Sequence, residues 1–393
     1  MQDLLKKYES KLINQGLCNE GGPLIGALDD EMEWNSQGDR TTILENIARD
    51  CSFSAILYSD LKEPLRSMIN SLCRNLPTDK TEIEPDDTET RTFLHSIPVI
   101  WDFDRESIVA ALKKRKGVII PDRGIVTYGT ISPEQAFVTF SSICFSCYVK
   151  FMTDFYLYKK GGLFLKEAPA ETALAALKEY GKQLDSFSDF PSFSGKFTTA
   201  DEVIESIIET GRLTVESGMV DSFFGNISVR FNDTIYISQT GSSLDELRGL
   251  IDPCPMDNSR SNAITSSSEF SAHKGIYSMW NHRTILHGHP RFSVIVSLLC
   301  DKRDCPNKGL CHINCSERRF LNDIPIIPGE VGTGPRGIAT TLPPAMEGRG
   351  AIVYGHGLFT TGKENFTEAF RNLIDIERTA FLTFMESIGA GNN

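Results

Sequence analysis

The chain has 393 residues, with 40 Lys+Arg against 52 Asp+Glu, a formal net charge of −12 and a sequence pI near 5.2. That acidity argues against a nucleic-acid binder, which needs clustered Lys and Arg to neutralise phosphates, while 40% hydrophobic and 23% charged residues are the proportions of a folded chain. One hydrophobic core seldom suffices at this length, so two domains are expected; the polar start Met1-Gln2-Asp3-Leu4-Leu5-Lys6-Lys7 and the lack of a bilayer-length apolar run predict a cytoplasmic protein that makes no membrane contact.

In the first half, Ala55-Ile56-Leu57-Tyr58 and the segment Gly117 to Gly129 read as strands, the second followed by an apolar helix through Ala136-Phe137. Cys144 and Cys147 fall within that helix and read as core packing. A low-order segment from about Lys159 to Phe197 follows, holding Lys159-Lys160-Gly161-Gly162 and the Ser/Phe/Pro/Gly stretch Asp185 to Gly195 around a helix-prone Ala168 to Leu184. This places a first domain at 1–165, a linker at 166–198 and a second domain at 199–393.

The second domain opens with a helix capped by Thr199 or Asp201, since Ile204, Ile207 and Ile208 recur at helical spacing. Gly225 to Phe231 and Thr234 to Ser238, joined by Asn232-Asp233, predict a β-hairpin. A helix from about Ser268 to Asn281, a strand Thr284 to His289, the segment Ile324 to Ile327, a helix near Ala345, a strand Ala351 to His356 and a helix Asn365 to Ile388 complete the pattern. The fold class expected is α/β in layers, helices around a mostly antiparallel sheet.

The halves share a pattern. Gly350 to Gly362 aligns without gaps on Gly117 to Gly129, and Ala369-Phe370 then meets Ala136-Phe137. Thr284-Ile285-Leu286-His287 matches Ala55-Ile56-Leu57-Tyr58. Internal duplication accounts for this, with a shortened first copy that has no counterpart of the hairpin around Asn226. Tyr58, Asp60 and Arg123 stand where the second copy has His287, His289 and His356, so the first copy is expected to hold no such metal.

Chemistry concentrates in the second half, which holds every histidine except His95. His287 and His289, two apart on a strand, project from one face and suit chelation of a single ion. His356, between Gly355 and Gly357, offers a third imidazole, and three nitrogens plus an open position is the pattern of a catalytic Zn²⁺ site. On spacing alone, three separate histidines bonded to backbone groups remain the alternative. Glu269 at a helix start is available as a cap, yet it follows Ser266-Ser267-Ser268 and precedes His273 by one turn. Cys300, Cys305, Cys311 and Cys315, spaced C-x4-C-x5-C-x3-C around His312, form a candidate second metal site or a set of free thiols.

Gly225-Asn226-Ile227-Ser228, Gln239-Thr240-Gly241, Ser267-Ser268-Glu269 with His273, His287-Gly288-His289-Pro290 and Gly355-His356-Gly357-Leu358 occur in that order. In this the sequence resembles the class II aldolase/adducin family over about Asp201 to Ile388. The resemblance implies that His287, His289 and His356 bind Zn²⁺ or another divalent metal and that Glu269 is the acid/base. It implies a phosphate pocket of Asn226, Thr240, Gly241, Ser267 and Ser268, hydroxyl, amide and backbone donors that need no basic residue. The activity implied is aldolase-type carbon–carbon cleavage of a small phosphorylated sugar or ketose through a metal-stabilised enediolate. A dehydratase, epimerase or decarboxylase of the same family, or a non-enzymatic adducin-like binding protein, are the alternatives. The chain departs from the aldolases in having no tyrosine in the segment after the His-x-His strand or in the tail, so the aldol acid is unassigned. The family forms fourfold rings, which implies a homo-oligomer here, two chains making a pseudo-fourfold ring in which Arg123, Tyr128 and Tyr58 stand in for the missing tyrosines.

Overall fold

The computed structural model describes residues 1–390 except 168, 188–195, 221–222, 260–263, 301, 303–304 and 331. Two compact units divide between Glu179 and Tyr180. Unit 1 runs α1 (Gln2–Asn14), β1 (Leu24–Leu28), β2 (Met32–Trp34), α2 (Thr41–Cys51), β3 (Ala55–Ser59), α3 (Leu65–Asn75), β4 (Glu82–Ile83), α4 (Thr88–Leu94), β5 (Ile97–Pro98), α5 (Arg105–Leu112), β6 (Gly117–Ile120), β7 (Gly124–Gly129) and α6 (Pro133–Lys159). The helix α7 (Ala170–Ser186) spans the division. Unit 2 continues with α8 (Ala200–Glu216), β8 (Asn226–Phe231), β9 (Thr234–Ser238), β10 (Ile251–Pro255), α9 (Phe270–Met279), β11 (Thr284–Gly288), α10 (Arg291–Leu298), β12 (Arg319–Leu321), β13 (Ile324–Ile327), α11 (Ile338–Thr341), β14 (Gly350–Val353), β15 (Gly357–Gly362) and α12 (Phe366–Ser387).

Unit 1 is built on an antiparallel sheet of order β2-β1-β3-β7-β6. Alternation along the strands sends Ile56, Tyr58, Val118 and Val126 to one face, where Leu44 and Ile47 of α2 and Ile108 and Leu112 of α5 cover them. The helix α6 packs against β3 and β7. By length and composition α6 is able to cross a membrane, contrary to the expectation that no such run exists. Its Thr139 and Ser142 interrupt the apolar run but bond back to Gln135 O and Val138 O of the same helix. Phe137, Phe140, Val149 and Met152 are fully buried, so α6 serves as the core helix of this unit.

Unit 2 has the expected mixed α/β layout, an eight-stranded sheet of order β10-β9-β8-β11-β15-β14-β13-β12 with one parallel pair, β13 with β14. Thr199 rather than Asp201 caps α8, in a capping box closed by Glu202. The β8–β9 hairpin turns at Asn232, whose φ of 54° its short polar side chain tolerates. Ile276 and Tyr277 of α9 pack on Ile285, Val353 and Phe359, while α12 covers β11 and β15 from elsewhere in the unit.

The strand expected over Ala351 to His356 ends at Val353 instead. His356 N bonds to Val353 O at 3.0 Å and Gly355 takes φ 60°, so Tyr354-Gly355-His356 is a tight turn into β15. A second correction concerns the hairpin. The β1–β2 pair lies beside β3 as β8–β9 lies beside β11, so the position thought vacant in the first half is filled. The strand orders β2-β1-β3-β7-β6 and β9-β8-β11-β15-β14 coincide, and Tyr58 faces Val126 as His287 faces Phe359. Thr127 and Thr360 each donate to the helix that follows, to Ala136 O and Ala369 O, both at 2.8 Å.

Candidate metal centre

His287 reaches the site from β11, His289 from the residue after that strand, and His356 from the β14–β15 turn. All three are buried, and their ligand nitrogens lie within 4.8 Å of one another. His287 Nε2 is 3.0 Å from His289 Nε2 and 3.2 Å from His356 Nε2. His287 Nδ1 is 3.1 Å from Leu358 O, a pairing that assigns the proton to Nδ1 and leaves a lone pair on Nε2. Burial pushes the His287 imidazole down to about 4, so it is neutral at pH 7.

That donor set fits a divalent ion. Nitrogens each about 2.0–2.1 Å from a tetrahedral ion are about 3.3 Å apart, close to the two separations found. A single proton cannot bridge His287 Nε2 to both neighbours, whereas a cation satisfies all three lone pairs. Phe359 stacks on His287 with centroids 3.8 Å apart and planes within 9°, fixing the ring.

Glu269 is the N-cap residue of α9, yet its carboxylate does not cap the helix. It turns to the imidazoles, with Oε1 3.1 Å from His356 Nε2 and Oε2 3.6 Å from His287 Nε2. Asn226 Nδ2 donates to Oε2 at 2.6 Å. Burial alone would raise this carboxyl, but the neighbouring His287 and His356 imidazoles and the hydrogen bond from Asn226 outweigh it and hold the group below the usual carboxylate range.

The other expected residues distribute as follows. Asn226 and Ser267 are buried beside Glu269, and Ser267 Oγ accepts from Glu269 N at 3.3 Å. Thr240, Gly241 and Ser268 are exposed, and Thr240 N→Thr265 O and Ser267 N→Ser238 O draw their two segments alongside each other. His273 turns away from the imidazole group to Ser228 Oγ at 2.7 Å, and Tyr277 bonds to the same serine. Cys300, Cys305, Cys311 and Cys315 are free thiols. Among the described residues the histidine triad is the one group of three or more side chains gathered so that they could hold a metal ion. The cysteine segment folds as successive turns, with Lys308 N→Cys305 O, Leu310 N→Asn307 O and Ile313 N→Leu310 O.

Sequence reasoning missed Glu377. It is fully buried in α12 and accepts from Phe292 N, Ser293 N and Ser293 Oγ, each at 2.7 Å, and from Tyr180 Oη at 2.5 Å. It thereby holds the first turn of α10, which begins two residues after His289. The signal was a carboxylate on the stripe otherwise formed by Phe370, Leu373, Ile374, Ala380 and Phe384.

A family model described as Class II Aldolase and Adducin N-terminal domain matches residues 205–384. No curated protein matches the chain. Similar solved structures include L-fuculose-1-phosphate aldolase from Thermus thermophilus, at 19% identity over 50% of this chain and 100% of that chain with a TM-score of 0.39. YgbL from Klebsiella pneumoniae matches at 22% identity over 48% and 91%, with a TM-score of 0.39. A sugar-phosphate aldolase from Thermotoga maritima matches at 19% identity over 49% and 97%, with a TM-score of 0.37.

Proposed function

Residues 205–384 belong to the class II aldolase and adducin family, and from that premise we propose that the protein is a metal-dependent lyase, cleaving a carbon–carbon bond in a small phosphorylated sugar or ketose in the cytoplasm. The observation that carries this reading is the convergence of His287, His289 and His356 Nε2 with the Glu269 carboxylate beside them. Those imidazoles would hold Zn²⁺ or another divalent ion, which when bound supplies Lewis-acid polarisation of a substrate carbonyl.

The chain's own residues do the rest. Glu269, oriented by Asn226 Nδ2, serves as the general acid/base: the hydroxyl of the departing aldehyde gives up its proton as the carbon–carbon bond breaks, and the ionised Glu269 carboxylate relays that proton to the electron pair left on the carbon beside the carbonyl. Asn226, Thr240, Gly241, Ser267 and Ser268 bind the substrate phosphate with amide, hydroxyl and backbone donors near the N-terminus of α9. Asn226 Oδ1 has no partner among the described residues and is left to accept from a substrate hydroxyl.

One observation favours a second reading, dehydration, epimerisation or decarboxylation at the same centre. No tyrosine lies between Pro290 and Val353, the segment after the His-x-His strand, which leaves the leaving-group acid of an aldolase unassigned. A panel of sugar phosphates, assayed for release of an aldehyde and a triose phosphate, decides between them. Release of both supports the lyase; conversion without fragmentation supports the second reading, and no conversion by the metal-loaded protein removes both.

A further inference from the structure

In unit 1 the positions matching the metal centre carry a different set of groups. Arg40 is the N-cap residue of α2 as Glu269 is of α9. Tyr58 occupies the register position of His287, and Arg123 the turn position of His356, with Arg123 N→Ile120 O and His356 N→Val353 O both at 3.0 Å. A carboxylate and an imidazole are thus replaced by two guanidinium groups.

We infer that Arg40 and Arg123 form a metal-free site for a small phosphate-bearing molecule in unit 1, distinct from the phosphate pocket proposed for unit 2. The Arg40 guanidinium lies 4.5 Å from the Tyr58 ring centroid and 4.3 Å from that of Phe103, and these rings meet edge to face at 5.3 Å. An aromatic clamp of this kind fixes the cation at little further entropy cost. Tyr58 Oη donates to Arg123 O at 2.6 Å and Arg40 Nη1 to the same oxygen at 3.4 Å, which ties the turn bearing Arg123 to the clamp.

Two of the carboxylates nearby are committed elsewhere. Asp60 pairs with Arg66 at 3.1 Å, and Asp122 with Arg74 at 3.1 Å and with Asn70. Neither Arg40 nor Arg123 has an ion-pair partner among the described residues, and the Arg123 side chain is exposed. Partial burial and the like charge of Arg123 pull the Arg40 guanidinium down from its ordinary value, against the opposing charges of Asp60 and Asp39. Two positive charges held near each other, neither of them ion-paired to a carboxylate among the described residues, are relieved by an anion that spans them. A phosphate monoester, with a charge of about −1.5 to −2 at pH 7, matches the pair and accepts the bidentate bonds that guanidinium offers. Leu24 stands at the register position of Asn226 and no histidine lies in this group, so the site offers no imidazole ligand to a metal.

Titration calorimetry of the full metal-loaded chain with inorganic phosphate tests this. Arg123→Gln is the main variant, because its side chain has no partner to lose, and Arg40→Gln the second. In an Asn226→Ala/Ser267→Ala background, which disables the unit 2 pocket, we expect one phosphate to remain bound, weakened about tenfold or more by Arg123→Gln with the metal content unchanged. Rising NaCl weakens that binding steeply. No phosphate binding in the Asn226→Ala/Ser267→Ala protein, or unchanged binding after Arg123→Gln, overturns the inference, and displacement by malonate at lower concentration than phosphate overturns the assignment of the ligand. If the unit 2 pocket alone is wrong, the wild type binds one phosphate that Arg123→Gln removes and Asn226→Ala/Ser267→Ala leaves in place.

Discussion

Gly357 opens β15 at the place where the imidazoles crowd together, and Gly357→Ala probes that crowding. A Cβ there falls 2.5 Å from Gly288 O, 2.7 Å from His287 Cε1 and 2.7 Å from His289 Cδ2. Ordinary contact begins at 3.4 Å, so each ring must retreat by 0.7 Å and the carbonyl by 0.9 Å. His287 has nowhere to go, being stacked on Phe359 and tied through Nδ1 to Leu358 O. The added methyl therefore splays the ligand nitrogens rather than being absorbed, at a cost of about 1–3 kcal/mol in stability and, by analogy with losses of ligand orientation, about 10–100-fold in metal affinity. Competition with a chromophoric chelator measures the affinity, and circular dichroism and thermal melting show that the chain is folded. A folded Gly357→Ala protein that binds zinc as tightly as the wild type would refute the packing argument.

Four further outcomes are expected. Glu269→Gln keeps the metal, measured by elemental analysis, and loses turnover by about a hundredfold or more in the sugar-phosphate panel. Glu377→Gln turns one acceptor towards the donors Tyr180 Oη, Phe292 N, Ser293 N and Ser293 Oγ, so denaturant unfolding should show a loss of about 2–4 kcal/mol, and the looser α10 should lower zinc affinity through His289. Asp87 in unit 1 is pushed up to about 6 by burial, against the hydrogen bonds from Thr90. Its contribution to stability is therefore fully present below its unfolded value and lost as pH rises through about 6, and Asp87→Asn, which does not titrate, should gain on the wild type by about 3 kcal/mol between about pH 4 and pH 7 in urea unfolding; a constant difference would contradict the sign. Thr199→Ala removes the capping box of α8 and should cost about 1 kcal/mol in the same assay.

Local chemistry was legible where one segment decides it. The Thr199 cap, the Asn232 hairpin turn and the parity that puts His287 and His289 on one face follow from neighbouring residues, and the mixed α/β class follows from their succession. What escaped depends on partners distant in sequence. His356 lies in a turn because β15 pairs back on both β14 and β11, which no local pattern states. The β1–β2 pair was missed because Leu24–Leu28 and Met32–Trp34 share no residue pattern with β8 and β9 and take their place only by pairing with β3. Arg40 came to notice only when α2 and α9 could be laid on equivalent strands.

The proposed activity requires His287, His289 and His356 to act as one metal-binding unit, and elemental analysis of the chain purified without chelator, alongside His356→Ala, tests that most directly. We expect close to one divalent ion per wild-type chain and little in a folded His356→Ala protein; a wild type without divalent metal, or a variant that keeps the full amount, would contradict it.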